Sequence, residues 1–304
     1  MEKKLVITGS NGLLGQKLVN LFSKLDDFEV IAISRGEDRN ETAKEYTYYS
    51  IDITDHKKIT NLLDEIRPDY IINCAAMTNV DQCEQEQEKC DEINVEALKN
   101  IIISAKKYNS HLIHISTDFI FDGENGPYSE DDEPNPINYY GLSKLKGEKL
   151  IKKSQIKYTI LRTILVYGLV DNMSKKNIVS WIKNAVENKQ TITIVNDQFR
   201  MPTLVDDLAD ACLLAIQNRA YGVFNVSSSK LLSIYEVALQ VADAFNLDKS
   251  YIKSIPTSQL SQPAKRPPKT GFDLTKSQNI LKLPIAPFEN RLQVFKNQLL
   301  KREQ

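Results

Sequence analysis

Over the first half of the chain, short runs of apolar and β-branched residues alternate with stretches whose apolar positions recur every three or four residues. That alternation belongs to a doubly wound parallel sheet. The runs "KLVITG" (4–9), "EVIAIS" (29–34), "YTYYSIDI" (46–53), "YIINCAA" (70–76) and "HLIHIST" (111–117) are expected as strands. Several are apolar almost throughout, as strands covered by helices on both faces require. Between them Leu14, Leu18, Leu21, Phe22 and Leu25 repeat at helical spacing, and a second helix is expected from Lys89 to Lys107.

Past a further strand-like run, "YTILRTILVYG", the rhythm changes. Ile178, Val179, Ile182, Ala185 and Val186 share one helix face, and the lone tryptophan, Trp181, is expected in the core among these apolar neighbours. A strand "TITIV" and a helix from Val205 to Ile216 follow. The last third offers "GVFNVSS", a helix near 233–245, a Pro-rich connector "QPAKRPPKTG", and a final helix that Pro287 would start. The segment "DGENGPYSEDDEPNPIN" reads as too polar to pack and as a functional loop.

Composition mainly excludes. A formal net charge of -1 gives no electrostatic reason to expect nucleic acid or an anionic membrane as partner. No apolar run approaches the roughly 20 residues that span a bilayer. The start "MEKKLVITGSNG" enters a strand without a signal-peptide core, so a cytoplasmic protein is expected. Cys74, Cys83, Cys90 and Cys212 form no CxxC pair and read as free thiols. No metal site is expected: the histidines are few, and His111 and His114, three apart in a strand, point to opposite faces.

"TGSNGLLG" sets Gly9, Gly12 and Gly15 directly after the first strand and at the start of the first helix. Glycines so placed let the backbone turn, approach a pyrophosphate and pack helix on sheet, while the helix N-terminus supplies free N–H donors. Nucleotide binding follows, on a Rossmann-type domain of residues 1–168. Residues 169–304 would form a smaller α/β domain, mainly for substrate, with some elements returning to the first sheet. An acidic residue ending the second strand would select NAD, but "ISRGEDR" puts Ser34 and Arg35 there. A guanidinium suits a 2′-phosphate, so NADP is favoured, although a solvent-facing arginine would read the same way.

In "NPINYYGLSK", Tyr140 and Lys144 stand at i and i+4 and share a helix face, which Tyr139 does not. A phenol is a weak acid, with a pKa of about 10. A nearby ammonium, with the charge of an oxidised nicotinamide, is expected to bring Tyr140 towards neutrality, so that it protonates a carbonyl oxygen as hydride reaches the carbon. In "HISTDFIFDG", Ser116, Thr117 and Asp118 fall at the carboxyl end of a strand, where open α/β sheets bind ligands.

The glycine loop, strand-end hydroxyls and Tyr–Lys helix occur in the order found in extended short-chain dehydrogenase/reductases, and the chain resembles that family. Within it, the chain is most similar to the dTDP-4-dehydrorhamnose reductases, through "PDYIINCAAMTNVDQCE", "INVEALKNI", "PYSEDDEPNPINYYGLSKLKGE", "LRTILVYG", "DQFRMPTLVDDLAD" and "RPPKTGFDLTKS". The resemblance implies that Gly9, Asn11, Gly12 and Leu13 hold the pyrophosphate, and that Asp52 and Ile53 lie near the adenine. Ala75, Ala76 and Thr78 would line the cofactor, with Tyr140 and Lys144 on the nicotinamide ribose. Thr117 would assist Tyr140, with Asp118 beside it on the substrate side; Asn94 matches a family asparagine for which a structural role is equally open. It also implies NADPH-dependent reduction of a 4-keto group on a nucleotide-linked 6-deoxyhexose, and leaves a homodimer open.

Two departures from the reductase pattern bear on substrate. Leu165 stands where a tryptophan is usual, and Arg200 and Met201 stand where glycine and a small residue are usual. An arginine in a substrate cleft would bind a diphosphate or block the ligand. The departures, with "VADAFNL", are similar to a second family, the regulatory β-subunits of methionine adenosyltransferase, which implies a binding protein rather than a catalyst. A reductase or epimerase for another nucleotide sugar is the third reading.

Overall fold

The structure, a computed structural model, describes residues 2–172 and 177–302. Its strands are β1 (Lys3–Thr8), β2 (Phe28–Ser34), β3 (Thr47–Ser50), β4 (Tyr70–Asn73), β5 (His111–Thr117) and β6 (Lys157–Thr163), then β7 (Ile192–Val195), β8 (Phe199–Arg200), β9 (Gly222–Val226), β10 (Leu232–Ser233), β11 (Ile252–Ile255) and β12 (Lys269–Thr270). Its first helices are α1 (Leu13–Phe22), α2 (His56–Ile66), α3 (Val80–Gln85), α4 (Gln87–Asp91) and α5 (Ala97–Tyr108). They are followed by α6 (Tyr139–Lys153), α7 (Ile178–Glu187), α8 (Val205–Gln217), α9 (Ile234–Phe245) and α10 (Phe288–Arg302).

Seven strands form one sheet in the order β3-β2-β1-β4-β5-β6-β9, all pairs parallel. The chain runs outward from β1 to one edge and then from β4 to the other, so the carboxyl ends of β1 and β4 flank a crevice where a ligand is expected. Both faces are covered, which explains the unbroken apolar strands. On one face Leu5, Ile7, Ile113 and Leu161 meet Leu18 and Phe22 of α1 and Leu208 and Cys212 of α8. On the other, Val6, Ile71 and Leu112 meet Leu63 of α2, Ile101 of α5 and Ile151 of α6. Each such fully buried aliphatic side chain contributes about 2 kcal/mol by leaving water.

Beyond residue 168 the chain divides. β9 becomes the seventh strand, and α8 packs in the core shared with α1. The rest builds a second core in which Ile182 of α7, Val237 and Val241 of α9 and Phe295 of α10 surround β7 and β11, a parallel pair. Trp181, expected in this core, is 41 % exposed. The buried face of α7 is carried by Val179, Ser180, Ile182, Ala185 and Val186, and Trp181 stands on its flank.

The helix expected over 89–107 is interrupted. α4 ends at Asp91 and α5 begins at Ala97, with one π-helical turn, Glu92–Glu96, between them. Inside that turn Asn94 faces inward: its Oδ1 accepts from Met77 N at 2.8 Å, and its Nδ2 donates to Met77 O at 3.0 Å and to Ser143 Oγ at 2.9 Å. The loop 122–138 also packs, contrary to its composition. Tyr128 is buried, its ring stacked on Phe121 at 4.1 Å, and its hydroxyl accepts from Gly123 N and Asn125 N and donates to Asp122. One aromatic anchor has organised a segment that is polar elsewhere.

Candidate active site

β5 ends at Thr117, and a 3-10 turn, Asp118–Ile120, carries the chain away from the sheet. The return is made by α6, whose cap Asn138 accepts from Gly141 N at 2.9 Å and donates to Lys265 O at 3.0 Å. Gly141 fixes how closely the helix docks: a β-carbon there would lie 2.0 Å from Phe119 O. That contact sets Tyr140 beside the strand end, edge-on to Phe119 with centroids 6.0 Å apart. The two strand-end hydroxyls then separate. Ser116 donates to Glu148 at 2.6 Å, inside a buried pair in which Arg162 grips Glu148 at 3.0 and 2.8 Å. Thr117 is the neighbour of the Tyr140 phenol.

Tyr139 belongs to a different network. Its hydroxyl donates to Asp91 at 2.8 Å and accepts from Lys146 at 3.2 Å, and its backbone N–H donates to Glu84. The helix face shared by Tyr140 and Lys144 turns to β5, where Thr117 and His114 lie, and Tyr139 turns elsewhere.

The electrostatics differ from expectation. Burial pushes the Tyr140 phenol above its ordinary value, against a downward pull from the Thr117 hydroxyl, while Asp118, Cys83 and Cys90 add to the rise. Burial also lowers Lys144 to about 8, opposed by Glu148 and the nearby thiols. The expected lowering of Tyr140 by Lys144 is not what the protein alone produces, because desolvation penalises phenolate and ammonium together.

The phosphate loop has the shape its glycines require. Gly9 sits at φ +68°, and a β-carbon there would lie 2.7 Å from Ala75 N; one at Gly15 would lie 2.2 Å from Gly9 O. Gly12 caps α1 without a side-chain acceptor, so first-turn N–H groups stay available to an anion. Leu13 opens that turn, and Ala75, Ala76 and Thr78 follow β4 across the crevice. The side chain of Asn11 is spent on the neighbouring loop, donating to Arg35 O, Glu37 O and Tyr48 and accepting from Arg39 N. Ser34 ends β2, and Arg35, with a side chain 71 % exposed, lies 3.6 Å from Asp52. Ile53 is buried beside it. These residues fit a dinucleotide with a 2′-phosphate: an uncapped helix start follows β1, and a largely exposed guanidinium, loosely paired with Asp52, stands at the end of β2.

Arg200, expected in a substrate cleft, is buried. Its guanidinium donates to Phe199 O and Pro267 O at 2.7 Å each and lies 3.8 Å from Asp118. With its donors turned to backbone carbonyls it neither offers a diphosphate site nor blocks one. Asp118 is buried with it: Thr117 donates to one oxygen at 3.1 Å and Thr270 to the other. Rather than presenting a free carboxylate to a substrate, Asp118 orients Thr117. Met201 packs with Ile164 and Phe272, and Leu165 holds a left-handed backbone at φ 42°, a strained conformation at the strand end.

One group was missed. Thr8, Asn73 and His114 occupy one rung of the sheet on adjacent strands, and Lys144 lies against it. The available signal was weak: Thr8 and Asn73 close two apolar runs, and His114 alone stands inside one. Among the described residues no cluster of three or more His, Cys, Asp or Glu could hold a metal ion, and no helix is long and apolar enough to cross a membrane.

A family model described as the RmlD substrate binding domain matches residues 3–301. A dTDP-4-dehydrorhamnose reductase of Aggregatibacter actinomycetemcomitans is 30% identical over 301 residues, 95% of this chain and 97% of that protein. The methionine adenosyltransferase 2 subunit beta of Danio rerio is 30% identical over 296 residues, 95% of this chain and 89% of its own. A crystal structure of dTDP-4-dehydrorhamnose reductase from Bacillus anthracis, in complex with NADP, superposes with a TM-score of 0.83 at 30% identity, covering 98% of this chain and 100% of that one.

Proposed function

The chain belongs to the RmlD substrate binding domain family, and we propose that it is an NADPH-dependent oxidoreductase reducing the 4-keto group of a nucleotide-linked 6-deoxyhexose, as dTDP-4-dehydrorhamnose reductases do. The observation that carries this reading is Tyr140 against Thr117 at the carboxyl end of β5, with Lys144 one turn on along the same face of α6 and against His114 of the same strand, on a sheet whose first helix starts uncapped.

NADPH, when bound, supplies the hydride. Gly9, Gly12 and Leu13 hold its pyrophosphate through backbone N–H groups and close approach, and Arg35 meets the 2′-phosphate. Tyr140 gives its proton to the oxygen of the C4 carbonyl, and Thr117, whose single O–H donates to Asp118 in the free protein, turns that O–H to the same oxygen when substrate is bound. The carbonyl thus takes one hydride at carbon and one proton at oxygen and becomes an alcohol. Lys144, one turn along the same face of α6, supplies the positive charge that offsets the phenolate left by proton transfer. The residues from 169 onward that are not part of the main sheet form the substrate-binding side of the cleft. The same proposal places the enzyme in the cytoplasm with a soluble substrate and leaves a homodimer to sedimentation.

The test is NADPH consumption by purified protein offered dTDP-4-dehydro-6-deoxy-L-mannose. Turnover that Tyr140→Phe abolishes is expected; a protein that binds NADPH yet turns over none of this sugar contradicts the reading. A second reading rests on the methionine adenosyltransferase 2 subunit beta relatives, matched at the same identity as the reductase. It predicts a stable complex with a methionine adenosyltransferase catalytic subunit and altered kinetics of that enzyme on mixing. The buried position of Arg200 favours the first, since this departure leaves the cleft unobstructed.

A further inference from the structure

Three neighbouring strands place polar residues in one register: Thr8 of β1 pairs with Asn73 of β4, and Asn73 with His114 of β5. All three are almost fully buried. Their side chains are bonded in series: Thr8 to Asn73 at 2.6 Å, Asn73 to His114 Nδ1 at 3.1 Å, and His114 Nε2 to Lys144 Nζ at 3.3 Å. The series runs under the crevice and ends on the lysine of the Tyr–Lys pair.

Resting on the reductase reading above, we propose that His114, oriented by Asn73 and Thr8, is the positioning residue for Lys144, holding its nitrogen against β5 on the helix face it shares with Tyr140 in both of its protonation states. Among the described residues His114 is the one hydrogen-bond partner of Lys144 Nζ. The other groups facing Lys144 are Glu148 on α6, Cys74 after β4, Cys83 of α3 and Cys90 of α4. Glu148 is already taken by Arg162 and Ser116, and buried thiols are weak acceptors. Burial, reinforced by Lys144, keeps the imidazole neutral, so it does not repel an ammonium.

A neutral imidazole has one donor and one acceptor nitrogen, and its other neighbour decides which is which. With Asn73 Nδ2 donating to Nδ1, the proton sits on Nε2 and His114 donates to a lysine amine. With the Asn73 amide turned over, Oδ1 accepts from Nδ1–H, and Nε2 accepts from a lysine ammonium. The exchange of amide oxygen and nitrogen needs no displacement of any ring, strand or helix. The lysine can therefore change charge in a dry site without losing its partner or its place, which an ionised carboxylate, an acceptor only, would not permit.

The test follows Lys144 directly, by NMR of lysine ε-carbons and histidine ring nitrogens through a pH titration, with Lys144→Arg assigning the signal. In the unaltered protein His114 is expected as the Nδ1–H tautomer below the Lys144 midpoint and as the Nε2–H tautomer above it. His114→Leu removes the partner from both states, and because the bond to the ammonium is roughly twice as strong as the bond to the amine, the midpoint falls by about half a pH unit to one unit. His114→Gln, whose amide reaches the same point and can turn over, restores it. Turnover gives a second reading: the alkaline fall of kcat in H114L moves to lower pH by that same amount, with the sugar KM unchanged, and H114Q restores it. If H114L does not fold, Asn73→Ala frees the imidazole, and the same downward shift is expected. A Lys144 midpoint equal in the unaltered protein and in the folded variant, or a tautomer that does not follow the lysine, overturns the proposal. If the unaltered protein turns over no sugar, the reductase reading fails while the Lys144 titration still decides this one.

Discussion

Two adjacent tyrosines differ in their prospects because of what each hydroxyl touches. Tyr140 has Thr117 as neighbour and Lys144 one turn on along the same face, whereas Tyr139 is tied to Asp91 and Lys146. Tyr140→Phe is expected to lower kcat by at least about 100-fold, the usual worth of a placed proton donor, with the NADPH Kd within about twofold. Tyr139→Phe removes two half-buried hydrogen bonds to charged partners, about 1–3 kcal/mol of stability, and leaves kcat near the original. Equal losses would mean that the acid is misassigned. Arg35→Ala is expected to raise the Kd for NADPH about tenfold or more, as loss of a charge-assisted bond to phosphate does, and to leave NADH unaffected; equilibrium binding of both cofactors decides it. The Tyr–Lys spacing could be read from the chain because i and i+4 share a helix face. The fates of Ser116, Asp118 and Arg200 could not, because each depends on partners at long sequence separation: Glu148, Thr270 and Pro267.

α6 is the element that assembles the site, and its placement rests on two contacts. At its start Gly141 lies against Phe119 O. Gly141→Ala forces these apart, and a loss of about 1–3 kcal/mol is expected in thermal unfolding, with a lower kcat in the protein that remains folded as Tyr140 is displaced. Further along, the buried Glu148–Arg162 pair fastens the helix to β6. Burial pushes the Glu148 carboxyl up, but the Arg162 bonds and charge more than offset this and hold it below its ordinary value. Its folded value being depressed, the pair's contribution is complete above the unfolded value of about 4.3 and is lost as pH falls through the folded one. Glu148→Gln should cost about 3–5 kcal/mol in urea unfolding at neutral pH, the cost of stranding a buried charge, and much less under acid. Strands and most helices were legible from apolar spacing. The break at 92–96 was not, because Asn94 is drawn inward by Met77 and Ser143, and neither was the packing of the 122–138 loop, which hangs on Tyr128.

The whole molecule is a seven-stranded sheet covered on both faces, with a further core that α7, α9 and α10 build around β7 and β11. The sheet was legible to its sixth strand from local patterns. The return of β9 as the seventh strand, with α8 packed beside α1, was foreseen only in kind, because nothing local says which sheet a five-residue strand will join. The most direct measurement on the reductase reading is isotope transfer: the protein is incubated with 4-deuterated NADPH and dTDP-4-dehydro-6-deoxy-L-mannose, and the sugar product is examined by NMR and mass spectrometry. One deuterium at C4 of a reduced sugar is predicted, with none formed by Tyr140→Phe. Cofactor that stays bound and unoxidised beside unchanged sugar would contradict it.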